Sequence, residues 1–549
     1  MNRNRGARIT LMLSLVAVTV LSASAAETWP DGSARDAWFV DRTSVEARLK
    51  GQEYRFDENG IFPDGQSKTA AIQALIDRAA AEGGGVIVAT PGIYRSGSLF
   101  FKPKVHLRLQ EGAIIQAADD PKEFPTVSSR IEGKTRPFTA ALINADRCDG
   151  FTLVGPGILD GNGYPAWRSN TLDREEGRIR SNIEGRRVRI LFVSHAKDVR
   201  IENVRLQNPQ FWTQHFWQCE NLRLENVNVF SANRVIGHVG CCTDGVDLDA
   251  VKNAVIRGCR IENFDDAIAI KGGSGNWADD YVRSPGNGPV ENVLVEDCEF
   301  GFTHGALVFG SEATKVRNVV MRRCRMDGAM RVLWLKFRAD TPQDYQNVLV
   351  EDITGAAEWF LYARLYADTR DWREGRAKDE LRSVASKVSM RNCDVVCREF
   401  FDVRADKSAG EMSDFTFENL VICGEETDYD EKAIARSVFR NIRTSQAIWK
   451  GLRHDDPDKF VGFLYGINGE RSAAAIPDGI FADPSPAKFF EQAAEYLRTT
   501  GWKWELESKA GEGYLLIRLE HYHWKGIRRA GTTVPAPDLA LTKDWLVLD

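Results

Sequence analysis

The sequence predicts an all-β chain wound as a right-handed parallel β-helix, with a small C-terminal α/β extension. Three observations predict it. First, a seven-residue pattern, Asn/Asp, apolar, any, apolar, any, Asn/Gly, apolar, recurs along the middle of the chain. Its copies begin at Asp198 (DVRIENV), Asn221 (NLRLENV), Asn253 (NAVIRGC), Asn292, Asn318, Asn347, Lys387 and Asp414 (DFTFENL). Second, the intervals between copies are 23, 32, 39, 26, 29, 40 and 27 residues. A fixed motif at a variable interval describes coils of constant cross-section that carry loops of unequal length. The apolar positions alternate, as in strands with one inward face, and show no 3.6-residue period. Third, Cys259, Cys298, Cys324 and Cys393 stand at the seventh motif position, where other copies have Val204, Val227, Ile353 and Leu420. That equivalence makes these cysteines small interior hydrophobes rather than disulfide partners.

The remaining cysteines are less informative. Cys241 and Cys242 are adjacent and cannot easily bridge each other, and Cys148, Cys219, Cys397 and Cys423 stay unassigned. No CxxC pair or close Cys/His spacing suggests zinc, and neither a metal nor a cofactor is expected.

Taken in order, residues 1–25 read as a signal peptide. Arg3, Arg5 and Arg8 precede an apolar run of 13 residues, and Ala23-Ser24-Ala25 supplies small residues for cleavage. The mature protein is expected in the periplasm or outside the cell. A 13-residue run is short for a bilayer, and no other segment is long and apolar enough, so no membrane insertion is expected. Net charge is −6, and it becomes −9 once the three arginines of the leader are removed. Such a balance argues against nucleic acid as a partner. A monomer is expected.

Residues 26–110 form an N-terminal segment and cap. Residues 29–45 look irregular. The stretch 64–82 (DGQSKTAAIQALIDRAAAE) reads as an amphipathic helix, with Ala70, Ile72, Leu75, Ile76 and Ala79 as its stripe and Gly83-Gly84-Gly85 as its end. Short strands follow at 86–89, 97–101 and 105–109. A solenoid needs such a cap because an open end exposes core and strand edges. The β-helix itself is placed at 111–445. Residues 446–549 differ in character, with a helix at 486–499 and a strand at 513–520. The tail is rich in Trp and Tyr, which suit an ordinary small core more than sugar stacking; its role is unassigned.

The chemistry concentrates between Cys241 and Lys271. Asp244 and Asp265 are 21 residues apart, about one coil, so neighbouring rungs about 4.8 Å apart would bring Asp244, Asp265 and Asp266 together. Crowded carboxylates push each other's proton affinities apart, and a protonated acid beside an ionised partner is what glycosidic hydrolysis requires. Consecutive strand residues face opposite sides, so Asp265-Asp266 is expected at a strand end or bulge.

With the repeat in place, residues 55–445 resemble glycoside hydrolase family 28, the polygalacturonases. The resemblance rests on Gly155-Pro-Gly-Ile-Leu-Asp-Gly-Asn-Gly163 with Trp167, on Asn208-Pro-Gln-Phe-Trp-Thr-Gln-His215, on Thr243-Asp-Gly-Val-Asp247, on Asp265-Asp-Ala267, and on Thr303-His-Gly305, with Leu335-Lys336 where the family has Arg-x-Lys. It implies hydrolysis, with inversion, of α-linked galacturonic acid in pectic polysaccharide or oligosaccharide, of the polygalacturonan or rhamnogalacturonan type, with exo action suggested by the loops. Carried over by position, Asp265 is the general acid, Asp244 and Asp266 hold and activate water, and His304 orients a carboxylate or a sugar hydroxyl. Lys336 is the substrate-binding lysine, joined as expected substrate contacts by Lys271, His215, Trp334 and Arg331. Asp247 and Asp249 are left outside the catalytic set.

Two positions depart from the family. Thr243 replaces an Asn, and Trp334 replaces the Arg of Arg-x-Lys, with Arg331 and Arg338 nearby as substitutes. Indole cannot reproduce the two-pronged grip of a guanidinium on a carboxylate, so the acceptor sugar is the open part of the prediction. A calcium-dependent pectate lyase and a non-catalytic, carbohydrate-binding β-helix are the alternatives.

Overall fold

The structure, a computed structural model, describes residues 27–181, 183–231, 242–263, 265–365, 382–406 and 409–446, and four short C-terminal strands. The expected signal peptide, Cys241 and the expected helix at 486–499 lie outside the described residues.

Thirty strands form one continuous parallel stack. Leu222 pairs with Ala254, Ala254 with Val293, Val293 with Val319, Val319 with Val348, and Val348 with Val388. The register therefore follows the motif intervals one for one, and unequal loops leave the cross-section unchanged. The motif also has a conformational cause. Its first position is left-handed in every copy, at Asp198, Asn221, Asn253, Asn292, Asn318, Asn347, Lys387 and Asp414, with φ between 55° and 61°. The sixth position is left-handed too, from Asn203 to Asn419, with φ between 51° and 60°. Asn, Asp and Gly tolerate that region best, which explains the pattern. Asn adds a ladder along the axis: Asn253 donates to Asn221 (3.0 Å), Asn292 to Asn253 (3.0 Å) and Asn318 to Asn292 (3.2 Å).

The interior is a column of apolar side chains. Cys259, Cys298 and Cys324 are buried within it, and Cys298 lies against the other two. Every described cysteine is a free thiol, including Cys148, Cys219, Cys397 and Cys423.

The cap helix spans Thr69–Ala81, five residues shorter at its start than expected, because Asp64 and Gln66 close a turn through the Asp64 carboxylate instead. Ile72, Leu75, Ile76 and Ala79 are buried over the first strands, whereas Ala70 is exposed. The parallel stack begins at Glu53–Arg55, which pairs with Gly85–Ala89, so the solenoid starts well before residue 111. Of the early strands, Val105–Leu109 is as expected, while Leu99–Phe100 is shorter.

Residues 27–48, which include the stretch 29–45 expected to be irregular, form a strap across the outer face of the stack. Arg48 donates to the Asp198 carbonyl (2.6 Å), Arg200 to Thr43 (2.8 Å), Arg223 to Asp41 (3.0 Å) and Arg257 to Phe39 (2.8 Å). Asn318 then donates to Asp31 (2.9 Å), and Arg322 to Glu27 (2.9 Å). Trp29 and Phe39 cover Val255, Leu294 and Val320, an apolar outward column that would otherwise face water.

A hairpin, Thr126–Ile131 with Lys134–Thr139, projects beside the stack. At the C-terminus, Trp504–Lys509, Tyr514–Leu519, Ile527–Arg528 and Trp545–Val547 form an antiparallel sheet, which includes the strand expected at 513–520.

Candidate active site

Val246–Asp249 and Asp266–Lys271 are neighbouring rungs, with Val246 opposite Ile268 and Asp249 opposite Lys271. The coil is thus 22 residues, one more than the spacing of Asp244 and Asp265. Asp244 lies level with Asp266, and the Gly245 N–H donates to the Asp266 carbonyl (2.9 Å). Asp265 occupies a bend just ahead of its strand. The next coil sets Gly305 opposite Asp266, and the His304 N–H donates to the Asp265 carbonyl (2.9 Å). Asp244, Asp265-Asp266 and His304 therefore come from three successive coils.

Each carboxylate has its own surroundings. Asp265 Oδ1 is 3.3 Å from His304 Nδ1 and accepts the Asp266 N–H (3.0 Å), while Oδ2 accepts the Cys242 N–H (2.8 Å). Asp266 Oδ2 is 2.6 Å from Lys336 Nζ, and its buried Oδ1 has no donor among the described residues. Asp244 Oδ2 is 3.4 Å from Lys271 Nζ. Lys271 also reaches Asp247 Oδ1 (3.3 Å) and Glu312 Oε2 (3.4 Å), and its ammonium lies 4.3 Å from the Trp212 ring centre.

These surroundings drive proton affinities in opposite directions. Burial, reinforced by Asp247 and Asp265, raises Asp244 well above the usual carboxylate range, although Lys271 opposes it. Burial also pushes Asp247 up to about 7. Burial works the same way on Asp265, but the His304 imidazole, Lys336 and the Cys242 N–H outweigh it and hold Asp265 below the usual range. The ligand-free cluster thus keeps a proton on the Asp244 side and a charge on Asp265.

A second polar layer lies beneath. Arg130, from the hairpin, donates to Asp249 (2.9 and 3.3 Å) and to Asn287 (2.8 Å), and both ionic partners are almost wholly enclosed. His215 sits between Arg189 (Nδ1, 2.7 Å) and Asp249 (Nε2, 3.5 Å). Burial lowers its pKa to about 3, so the ring is neutral, with Nδ1 accepting from Arg189 and Nε2–H facing Asp249. Arg130 and Asp249 hold the pair charged; burial opposes this, yet Asp249 falls to about 2.

Lys271, His215 and Arg331, expected as substrate contacts, are almost wholly enclosed. His215 is fully buried and Lys271 is 4% exposed. Both serve the carboxylates from below. Arg331, 5% exposed, is enclosed by the rings of Trp334, Trp359 and Tyr362, 3.9 to 4.6 Å from its guanidinium carbon, and donates to the His304 carbonyl (2.9 Å). Arg338, the other substitute for the family's Arg, is held by Asp340 (2.8 and 2.7 Å). Trp334 is partly exposed and lies beside Lys336, whose ammonium is 4.1 Å from the ring centre. Arg130, Arg189 and Glu312 were not singled out from the sequence. Their one signal there is a charge set among apolar neighbours, such as Arg189 in Val188-Arg-Ile190. The ligating atoms of Asp265, Asp266 and His304 lie within 4.8 Å of one another, with Lys336 Nζ at Asp266 Oδ2 and the Cys242 N–H at Asp265 Oδ2.

On the coils just before Asp244 lies a cavity of about 450 Å³, lined by Asn162, Asn170, Arg187, Val188 and Gln210 among others. Gln210 stands one coil ahead of Asp244 and Val188 two.

A parallel β-helix carrying paired carboxylates on adjacent rungs is the architecture of a glycoside hydrolase. Residues 125–355 match the sequence model of glycosyl hydrolases family 28. It is 22% identical over 295 residues to an exopolygalacturonase of Platanus acerifolia, covering 53% of this chain and 69% of that protein. An endo-polygalacturonase of Pectobacterium parmentieri is 23% identical over 285 residues, covering 50% and 65%. The chain spans about two thirds of the length of these relatives. The fold is shared with the hyperthermoactive exopolygalacturonase from Thermotoga maritima (TM-score 0.59, 22% identity, 72% of this chain and 92% of that one).

Proposed function

We propose that the protein is exported and hydrolyses α-linked galacturonic acid bonds in pectin, of the polygalacturonan or rhamnogalacturonan type, with inversion. The observation that carries this reading is the convergence of Asp244, Asp265 and Asp266 with His304, in opposed electrostatic surroundings. Inversion needs one acid, one base and a water between them. Asp266 Oδ1, which has no donor among the described residues, and Asp244 on the level beside it offer that water its acceptors. Asp265 faces the leaving oxygen as the acid.

The cluster holds the one proton the reaction needs, but in the free protein it rests on the wrong carboxylate. Substrate corrects this. A galacturonate carboxylate draws on the His304 imidazole and the Lys336 ammonium, which raises the proton affinity of Asp265, while Lys271 opposes the added negative charge and favours an ionised Asp244. His304 and Lys336 thereby bind substrate and arm the acid together. The cavity beside Asn170 and Gln210 supports an exo mode, because it gives a chain end somewhere to stop.

Product analysis on homogalacturonan and rhamnogalacturonan, with wild type and Asp265→Asn and with a calcium chelator, tests the proposal. Saturated galacturonic acid released by wild type alone, indifferent to chelation, is the expected result. An unsaturated product that disappears with chelator would instead make the protein a lyase. Proton NMR of the first product reports the anomer and hence inversion.

A further inference from the structure

Resting on that hydrolytic reading, we propose that Asp247 is a positioning residue for the reaction. Wholly enclosed below the catalytic carboxylates, it shares the Lys271 ammonium with Asp244 and so fixes both the orientation of that base and the charge it carries.

Three carboxylates meet one ammonium here. Asp244, Asp247 and Glu312 lie 3.4, 3.3 and 3.4 Å from Lys271 Nζ, and their side chains are at most 8% exposed. One cation cannot hold three dry anions, so the group must carry a proton. Glu312 is the wrong place for it. Lys271 donates to Glu312 (3.4 Å), Ser311 Oγ donates to it (2.6 Å) and Arg338 lies 3.5 Å away, and together these hold Glu312 ionised against its burial. The proton is left to Asp244 and Asp247. The other groups facing Asp247 do not change this. His215 lies opposite it on the preceding rung and is neutral, Ala269 is opposite on the following rung, Arg189 acts from the layer below, and Asp266 adds a further negative charge. Lys271 cannot turn away, since its ammonium rests over Trp212. Asp247 makes no contact with a substrate position and acts only through Asp244.

The test is the pH dependence of kcat, which reports the substrate complex, for Asp247→Asn, with Lys271→Gln beside it, on the pectic substrate wild type cleaves. Removing the Asp247 charge should let Asp244 ionise more easily and move the acidic limb down by about one to two pH units. Removing the Lys271 ammonium should move it up. A merely structural role would lower kcat in both variants and leave the limbs in place, and that result overturns the proposal. Folding is informative as well. Asp247, raised in the folded state, stabilises the fold below its unfolded pKa and loses that contribution as pH rises toward 7. Asp247→Asn should therefore melt with wild type near pH 4 and above it by pH 7. A variant that fails to fold, or melts lower throughout, refutes the shared proton. If wild type cleaves no pectin, the hydrolytic reading falls and the catalytic role with it, while the melting difference still decides whether the buried pair holds a proton.

Discussion

Replacing Arg130 with Met separates the buried ion pair from the surrounding packing. Arg130 makes two hydrogen bonds to Asp249 and one to Asn287, and its partner is fully enclosed. Met fills most of the side-chain volume but leaves Asp249 hydrogen-bonded to no cation, with the neutral His215 3.5 Å away and Arg189 acting only at longer range. Stranding a buried charge in this way costs about 3–5 kcal/mol. For on the order of 400 ordered residues the unfolding entropy is roughly 0.8 kcal/mol/K, so the melting temperature should fall by about 4–6 °C. Asp249→Asn placed on top of Arg130→Met removes the stranded charge, and the double variant should recover at least half of the loss. Differential scanning calorimetry of wild type, both single variants and the double variant closes the cycle. Equal losses that simply add would refute the reasoning, as would an Arg130→Met protein melting within 1 °C of wild type.

Other outcomes follow from the same geometry. His304→Gln removes the imidazole that helps hold Asp265 ionised, so the basic limb of the kcat profile should move to higher pH while kcat falls about 100-fold; steady-state kinetics across pH 4 to 9 checks both. Glu296, between Arg257 (2.6 Å), Arg322 (2.9 Å) and Arg323 (2.7 Å), falls to about 2 in spite of its burial. Its folded pKa is depressed, so its contribution is present above the unfolded value near 4.3 and is lost as pH falls toward 2. Wild type should therefore lose its melting advantage over Glu296→Gln between pH 5 and 3. Asn253→Ala forfeits two ladder bonds and puts a Cβ without a polar group into a left-handed turn, costing about 2 kcal/mol; Asn253→Gly should cost less, since glycine relieves the backbone, as urea titration will show.

What could be read in the chain divides along a physical line. The coils were legible because each repeats the same local demand, two left-handed turn residues around alternating apolar ones, and Asn221 or Asn253 answers it alone. The carboxylates were legible because Asp244 and Asp265-Asp266 are short and rigid and sit at coil spacing. Direction was harder. Lys271 and Lys336 both stand out in apolar strands, but a four-carbon stem reaches up or down equally well; the anions around each decide, and these arrive from other coils. Arg130 and Asp249 are 119 residues apart, and nothing local joins them. The strap escaped for the same reason. Trp29 and Phe39 follow no period because they match a column formed by Val255, Leu294 and Val320, not a pattern of their own.

That strap changes how the solenoid holds together. A stacked-coil protein is bound between nearest neighbours, so its coils can open singly, like coins slid from a roll. Residues 27–48 lie across the coils that carry Arg200, Arg223, Arg257, Glu296 and Arg322, a span of about 19 Å. Opening any of these coils disturbs a contact belonging to all of them, and the catalytic coils of Asp244, Asp265 and His304 fall inside that span. This segment thus ties the middle of the chain into a single cooperative block. It can take its place only after the last of those coils, some 295 residues later, has formed.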